Sequence, residues 1–129
     1  MDYHQYIGTR DLAAFLSVPA AIEYQQSRNW SDVRQHCLQL VKNALQHIIE
    51  ITGLESIYAN DSWYGQFAVF KLPNHWDVEK TKNTLYDQYK VEIPIYIWNG
   101  QLFGRISIQE YNTQRDIDRL VDAIRQMNK

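Results

Sequence analysis

The chain has 129 residues, 45% of them apolar and 22% charged, a composition that suits one ordinary globular domain. Thirteen Lys and Arg are scattered among fifteen acids for a formal net charge of −2, so neither nucleic acid nor an anionic membrane is an expected partner. Cys37 stands alone, which excludes an intramolecular disulfide and fits a reducing compartment.

Met1-Asp2-Tyr3-His4-Gln5 is neither basic nor followed by an apolar core, so no signal peptide is expected. No apolar run approaches the ~20 residues of a membrane span, and the cytoplasm is the expected location. Gly8-Thr9-Arg10-Asp11 opens a first helix that should run to about Arg28, with Pro19 kinking or interrupting it. Leu12, Phe15, Leu16, Val18, Ala20, Ala21 and Ile22 cover much of its circumference, so it expects cover on more than one side. A second helix is predicted from Ser31 as N-cap to Gly53 as C′ residue. Val33, Cys37, Leu40, Val41, Ala44, Leu45 and Ile48 draw its buried stripe.

The period then changes to two. Leu54 to Ala59 and Gln66 to Leu72 read as strands joined through Asn60-Asp61-Ser62, and Pro73-Asn74 breaks the sheet. Ala68, Phe70 and Leu72 share one face of the second of these strands; Phe67, Val69 and Lys71 share the other. A helix over about Asp77 to Tyr89 follows, with Val78, Leu85 and Tyr86 or Tyr89 inward. Glu92 to Trp98 and Gln101 to Ile108 form a hairpin about Asn99-Gly100, both of which tolerate the positive φ of a type I′ turn. Thr113 caps the last helix with Asp116 three residues on, and Ile117, Leu120, Val121 and Ile124 face its core. The order α-α-β-β-α-β-β-α predicts an α+β fold, a mainly antiparallel four-stranded sheet with helices packed on it.

Three constellations could carry chemistry. Arg105 leaves its strand on the face opposite Ile106 and Ile108, either as a solvated arginine on an open sheet face or as a carboxylate clamp on rigid backbone. Gly8-Thr9 at a helix start offers N–H groups and a hydroxyl to a phosphate, or is an N-cap with nothing bound. His36 and His47 are eleven residues apart on one helix, about 16 Å at 1.5 Å per residue, and His4 and His75 stand alone, so no metal site is expected. P-loop, nucleophile-elbow and dinucleotide signatures are lacking, and no catalytic residue is assigned. Trp63-Tyr64, Tyr96 and Trp98 could line a pocket, though such residues are more often core or interface.

Together these segments resemble the C-terminal part of class V aminotransferases, the fold-type-I PLP enzymes that include cysteine desulfurases and isopenicillin N epimerase. The resemblance covers nearly the whole chain. Its most specific pieces are Gly8-Thr9-Arg10-Asp11 with the helix Leu12 to Tyr24, then Val91-Glu92-Ile93-Pro94-Ile95, then Arg105-Ile106-Ser107 followed by Tyr111-Asn112-Thr113 and Asp116-Ile117. The Gly-Thr-Arg-Asp form and Trp98 look most like the isopenicillin N epimerase branch.

The resemblance implies that residues 30–129 are the small α+β domain and that residues 1–29 belong to, or bridge from, a large PLP-binding domain. It implies that Thr9, with Gly8, reaches the PLP phosphate of the neighbouring subunit in a homodimer, and that Arg105 binds the α-carboxylate of an amino-acid substrate. The family's coenzyme lysine lies upstream of the matching region, so this chain alone is expected neither to bind pyridoxal 5'-phosphate stably nor to catalyse. Desulfurases carry a nucleophilic cysteine shortly before the arginine strand, where this chain has Trp98-Asn99-Gly100, and that activity is disfavoured. The other reading open to the sequence is a free-standing α+β module that binds small carboxylates or a protein through the Arg105 face.

Overall fold

Two short helices stand where the sequence predicts one. In the computed structural model, which describes residues 11–129, α1 (Ala13–Leu16) ends at Ser17 and α2 (Val18–Ser27) begins at once. Pro19 lies in the first turn of α2, where the missing N–H has no intrahelical partner to lose. The interruption therefore precedes the proline instead of bending the helix at it. Both helices lie in the first of two compact units, Met1–Val33 and Arg34–Lys129. Their apolar side chains are exposed, Leu16 at 76%.

Helix α3 (Trp30–Thr52) starts one residue before the expected cap, with the Asn29 carbonyl accepting from the Asp32 and Val33 amides. Gly53, with φ of 67°, ends it as expected. Cys37, Leu40, Val41, Ala44, Leu45 and Ile48 form its buried stripe.

The second unit is built on a sheet of three strands, β1 (Phe67–Leu72), β2 (Ile95–Trp98) and β3 (Gln101–Ser107), in the order β1-β3-β2 with both pairings antiparallel. It is not the four-stranded sheet that the sequence predicts. Leu54 to Ala59 has the period of a strand but pairs with none. The edge of β1 that such a strand would use is met by a side chain instead: the Val69 amide donates to the Tyr58 hydroxyl at 2.7 Å. Tyr58 also packs on Tyr64, ring centroids 4.9 Å apart, in the turn after the short 3-10 helix Asp61–Trp63. Tyr64 donates to Asp61, whose carboxylate also pairs with Lys42 on α3. Burial, reinforced by that hydrogen bond, pushes the Tyr64 phenol up to about 12. The segment is thus tied down by hydroxyl and carboxylate contacts, with no ladder.

Strand β2 begins at Ile95, later than the expected Glu92, because of Pro94. Arg105 donates its amide to the Pro94 carbonyl, and proline has no N–H to return to the ladder. The hairpin itself is as predicted, with Asn99 and Gly100 at φ of 48° and 74°. Helix α4 (Val78–Tyr89) is capped by the Asp77 carboxylate on the Lys80 amide and buries Thr81 and Leu85, while Tyr86 is exposed. Helix α5 (Gln114–Met127) buries Ile117, Leu120, Val121 and Ile124. Among the described residues no helix is long and apolar enough to cross a membrane.

The core lies between these helices and the face of the sheet that carries Ala68, Phe70, Leu72, Leu102, Ile106 and, just past β3, Ile108. At its centre Phe70 opposes Gly104 across the β1–β3 ladder. A Cβ at Gly104 would fall 2.5 Å from Phe70 Cζ, so the ring occupies the space a side chain would need. Gly104→Ala is therefore expected to cost about 2 kcal/mol through overpacking, read as a lower urea midpoint at unchanged m-value.

The Thr113 amide and hydroxyl both donate to one Asp116 carboxylate oxygen, at 2.8 and 3.1 Å. The amide bond is the main reason that the Asp116 carboxyl sits below the usual aspartate range. A lowered folded-state value means stability that is present above the unfolded value and lost as pH falls through the folded one. Asp116→Asn should accordingly lose stability at neutral pH, and the gap from the wild type should close in melts recorded progressively below about pH 4.

Candidate functional site

The second face of the sheet carries several exposed side chains, and the expected alternation puts Arg105 on it. Phe67, Val69 and Lys71 from β1, Phe103, Arg105 and Ser107 from β3, and Tyr96 and Trp98 from β2 share this face by register. Arg105 is half-buried while Ile106 and Ile108 behind it are buried, as expected from the sequence. None of the strand residues on this face is acidic, so its two cations, Arg105 and Lys71, have no carboxylate from the sheet itself.

Arg105 lies opposite Val69, and Phe67 is its diagonal neighbour on β1. The guanidinium carbon stands 5.1 Å from the Phe67 ring centroid, within cation–π range. Its Nε atom is closed off from solvent and has no acceptor. An unmet buried donor is uncommon in a finished structure and calls for a reason. Along the strand Phe103 is buried beneath Tyr96 and Trp98, with centroid separations of 6.0 and 6.4 Å. Phe67, Tyr96 and Trp98 keep 50%, 37% and 64% of their surface exposed, a row of aromatic surface beside the cation.

A cleft of about 280 Å³ opens where the β2–β3 ladder stops at Pro94. It is lined by residues 91–94, by β3 from Arg105 onward and by α5, with the cations Lys90, Arg105 and Arg119 against Glu92 and Asp116. Three cations against two acids leave the cleft with a basic balance. Arg105 sits at the junction of the two features: its strand walls the cleft and its guanidinium leans over β1.

Gly8 and Thr9 lie outside the described residues. No group of three or more His, Cys, Asp or Glu positioned for a metal occurs among the described residues. Phe67 is the site residue that sequence reasoning missed. Its face was legible from period two, but its neighbour across the sheet was not, because no turn joins β1 to β3.

Isopenicillin N epimerase of Amycolatopsis lactamdurans is 28% identical over 123 residues, covering 95% of this chain and 31% of that protein. Isopenicillin N epimerase of Streptomyces clavuligerus is 26% identical over 119 residues, 91% of this chain and 30% of that protein. The chain is a distant homologue of these enzymes. A probable chloroplastic L-cysteine desulfhydrase of Arabidopsis thaliana is 27% identical over 134 residues, 92% of this chain and 28% of that protein. The homology bears out the resemblance to class V aminotransferases. The chain spans about a third or less of the length of these relatives. No family model matches it.

An arginine kept for stability loses stability when replaced; one kept to meet a ligand does not. Arg105→Met removes the unmet Nε while keeping most of the apolar stem. It is expected to stay within about 0.5 kcal/mol of the wild type or to exceed it, measured by chemical denaturation. A loss above about 2 kcal/mol would instead make Arg105 a structural residue.

Proposed function

We propose that this chain is the C-terminal, carboxylate-binding part of a pyridoxal-phosphate-dependent enzyme acting on an amino acid. Arg105 holds the α-carboxylate, and Thr9 with Gly8 holds the coenzyme phosphate of the partner subunit in a homodimer. The observation that carries the reading is the half-buried Arg105 guanidinium on the central strand, with no acid among the strand residues of its face. Planar guanidinium matches carboxylate geometry, and strand backbone on both sides keeps it in place. The distant homology to isopenicillin N epimerases and the likeness to class V aminotransferases support the coenzyme.

The described residues fit one part of such an assembly. The open face supplies cations and aromatic surface for the acid end of an amino acid. It has no carboxylate to pair with a pyridine nitrogen, so the coenzyme ring and the lysine that anchors it call for other polypeptide. The coenzyme would supply an electron sink for the reacting carbon. Arg105 contributes orientation: two hydrogen bonds to the α-carboxylate, which is bonded to the reacting carbon, fix how that carbon is presented. Turnover by this chain alone is not expected.

The test is titration of the chain with sodium propionate and with L-alanine, following the arginine side-chain ¹⁵N–¹H signals. Saturable movement of the Arg105 signal, lost in Arg105→Met, supports the reading. A flat titration with both acids removes it, and amino-acid turnover by the chain with added pyridoxal phosphate removes the restriction to a part.

A further inference from the structure

Phe67 is a large apolar side chain that half faces water, at the start of an edge strand and outside the core. The antiparallel register sets it diagonally across from Arg105, the arrangement in which a long side chain on one strand reaches an aromatic ring on the next. The ring centroid lies 5.1 Å from the guanidinium carbon. The Arg105 Nε is shut off from solvent while Nη1 and Nη2 are not among the buried unmet atoms. One edge of the fork is therefore closed, and the terminal end is left to meet a ligand.

We propose that Phe67 is a positioning residue for Arg105, its ring holding the guanidinium so that a carboxylate is received end-on by Nη1 and Nη2. The inference rests on the carboxylate reading and specifies its geometry. A side-on approach through Nε and one Nη would need the Nε edge, which is the closed one. The arginine side chain has several rotatable bonds, and a free one loses that freedom when it binds; a ring already against the guanidinium removes part of the loss beforehand. The attraction between cation and ring survives ligand binding because a carboxylate at Nη1 and Nη2 bonds to N–H groups that the ring does not use as hydrogen-bond donors. Val69, directly opposite Arg105, cannot substitute: it has no π face.

The experiment uses ¹⁵N-arginine-labelled protein and two readouts, propionate affinity and exchange of the Arg105 Nε–H with water. Phe67→Ala should weaken propionate binding about fivefold and speed Nε–H exchange about tenfold or more, since a guanidinium no longer held by the ring leaves the place in which Nε is closed off from water. Phe67→Tyr keeps the ring and should restore both. Phe67→Leu keeps apolar bulk without the quadrupole and should restore exchange protection more than affinity. Thermal melts of each variant check that the fold is intact, and a general packing role would move the melts while leaving the Nε–H signature in folded protein unchanged. Unaltered affinity and exchange in folded Phe67→Ala would overturn the proposal. No response to propionate in the wild type would overturn the carboxylate reading, and exchange alone would then decide whether Phe67 holds the guanidinium.

Discussion

The register of β3 between its two neighbours is the constraint on which the rest depends. Because side chains alternate, a slip of one residue would send Arg105 into the core and Ile106 to the open face. Three features prevent that slip. The Asn99-Gly100 turn sets β2 against β3 with no residue to spare. The Phe70 ring fits only over Gly104, since any other β3 residue in that place would bring a side chain into the ring. Past Pro73, the Asn74 side-chain oxygen takes the Leu102 amide and so extends the same register beyond the end of β1. The position of the guanidinium is thus settled by packing on the opposite face of the sheet.

That separation of duties explains how the sheet tolerates an unmet donor. The buried face carries the hydrophobic stabilisation and has no need of polar contacts. The other face buries Phe103 but leaves Phe67 half-exposed, and a cation that lacks an acid persists there. The face thus combines rigid strand backbone with a cation that no acid of the sheet pairs. The edge of β1 is handled in the same economical way, with the Tyr58 hydroxyl meeting one ladder amide where a whole strand would otherwise be needed.

Legibility from sequence followed the locality of the cause. The α3 and α5 stripes, the Gly53 terminus, the Asn99-Gly100 hairpin and the Thr113–Asp116 box each depend on residues within a few positions, and all were readable. Leu54 to Ala59 was misread because period two reports which side chains could be buried together, not whether backbone amides find a partner. Tyr58 contributes its hydroxyl to the neighbouring strand, an option that no pattern of apolar residues signals. Pro94 could have shortened β2 in advance, since it removes the donor opposite Arg105. Thr81 is buried on α4 one turn before Leu85, where a polar residue type disguised a core position. The Phe67–Arg105 contact joins residues brought together by a non-consecutive pairing, and it was out of reach of any local rule.

The contrast between α5 and the first two helices bears on how much polypeptide a working site would need. Helix α5 is buried along one stripe and polar on the other, so its own unit accounts for it. Helices α1 and α2 carry Leu12, Phe15, Leu16, Val18 and Ile22 with about half or more of each exposed, and apolar residues recur around them instead of along one side. A short helix in water draws its stability from packing, and one that is apolar on several sides is suited to being surrounded. Relatives of roughly three times the length have ample chain to surround it. The Arg105 face likewise offers a guanidinium and aromatic surface without an acid from the sheet.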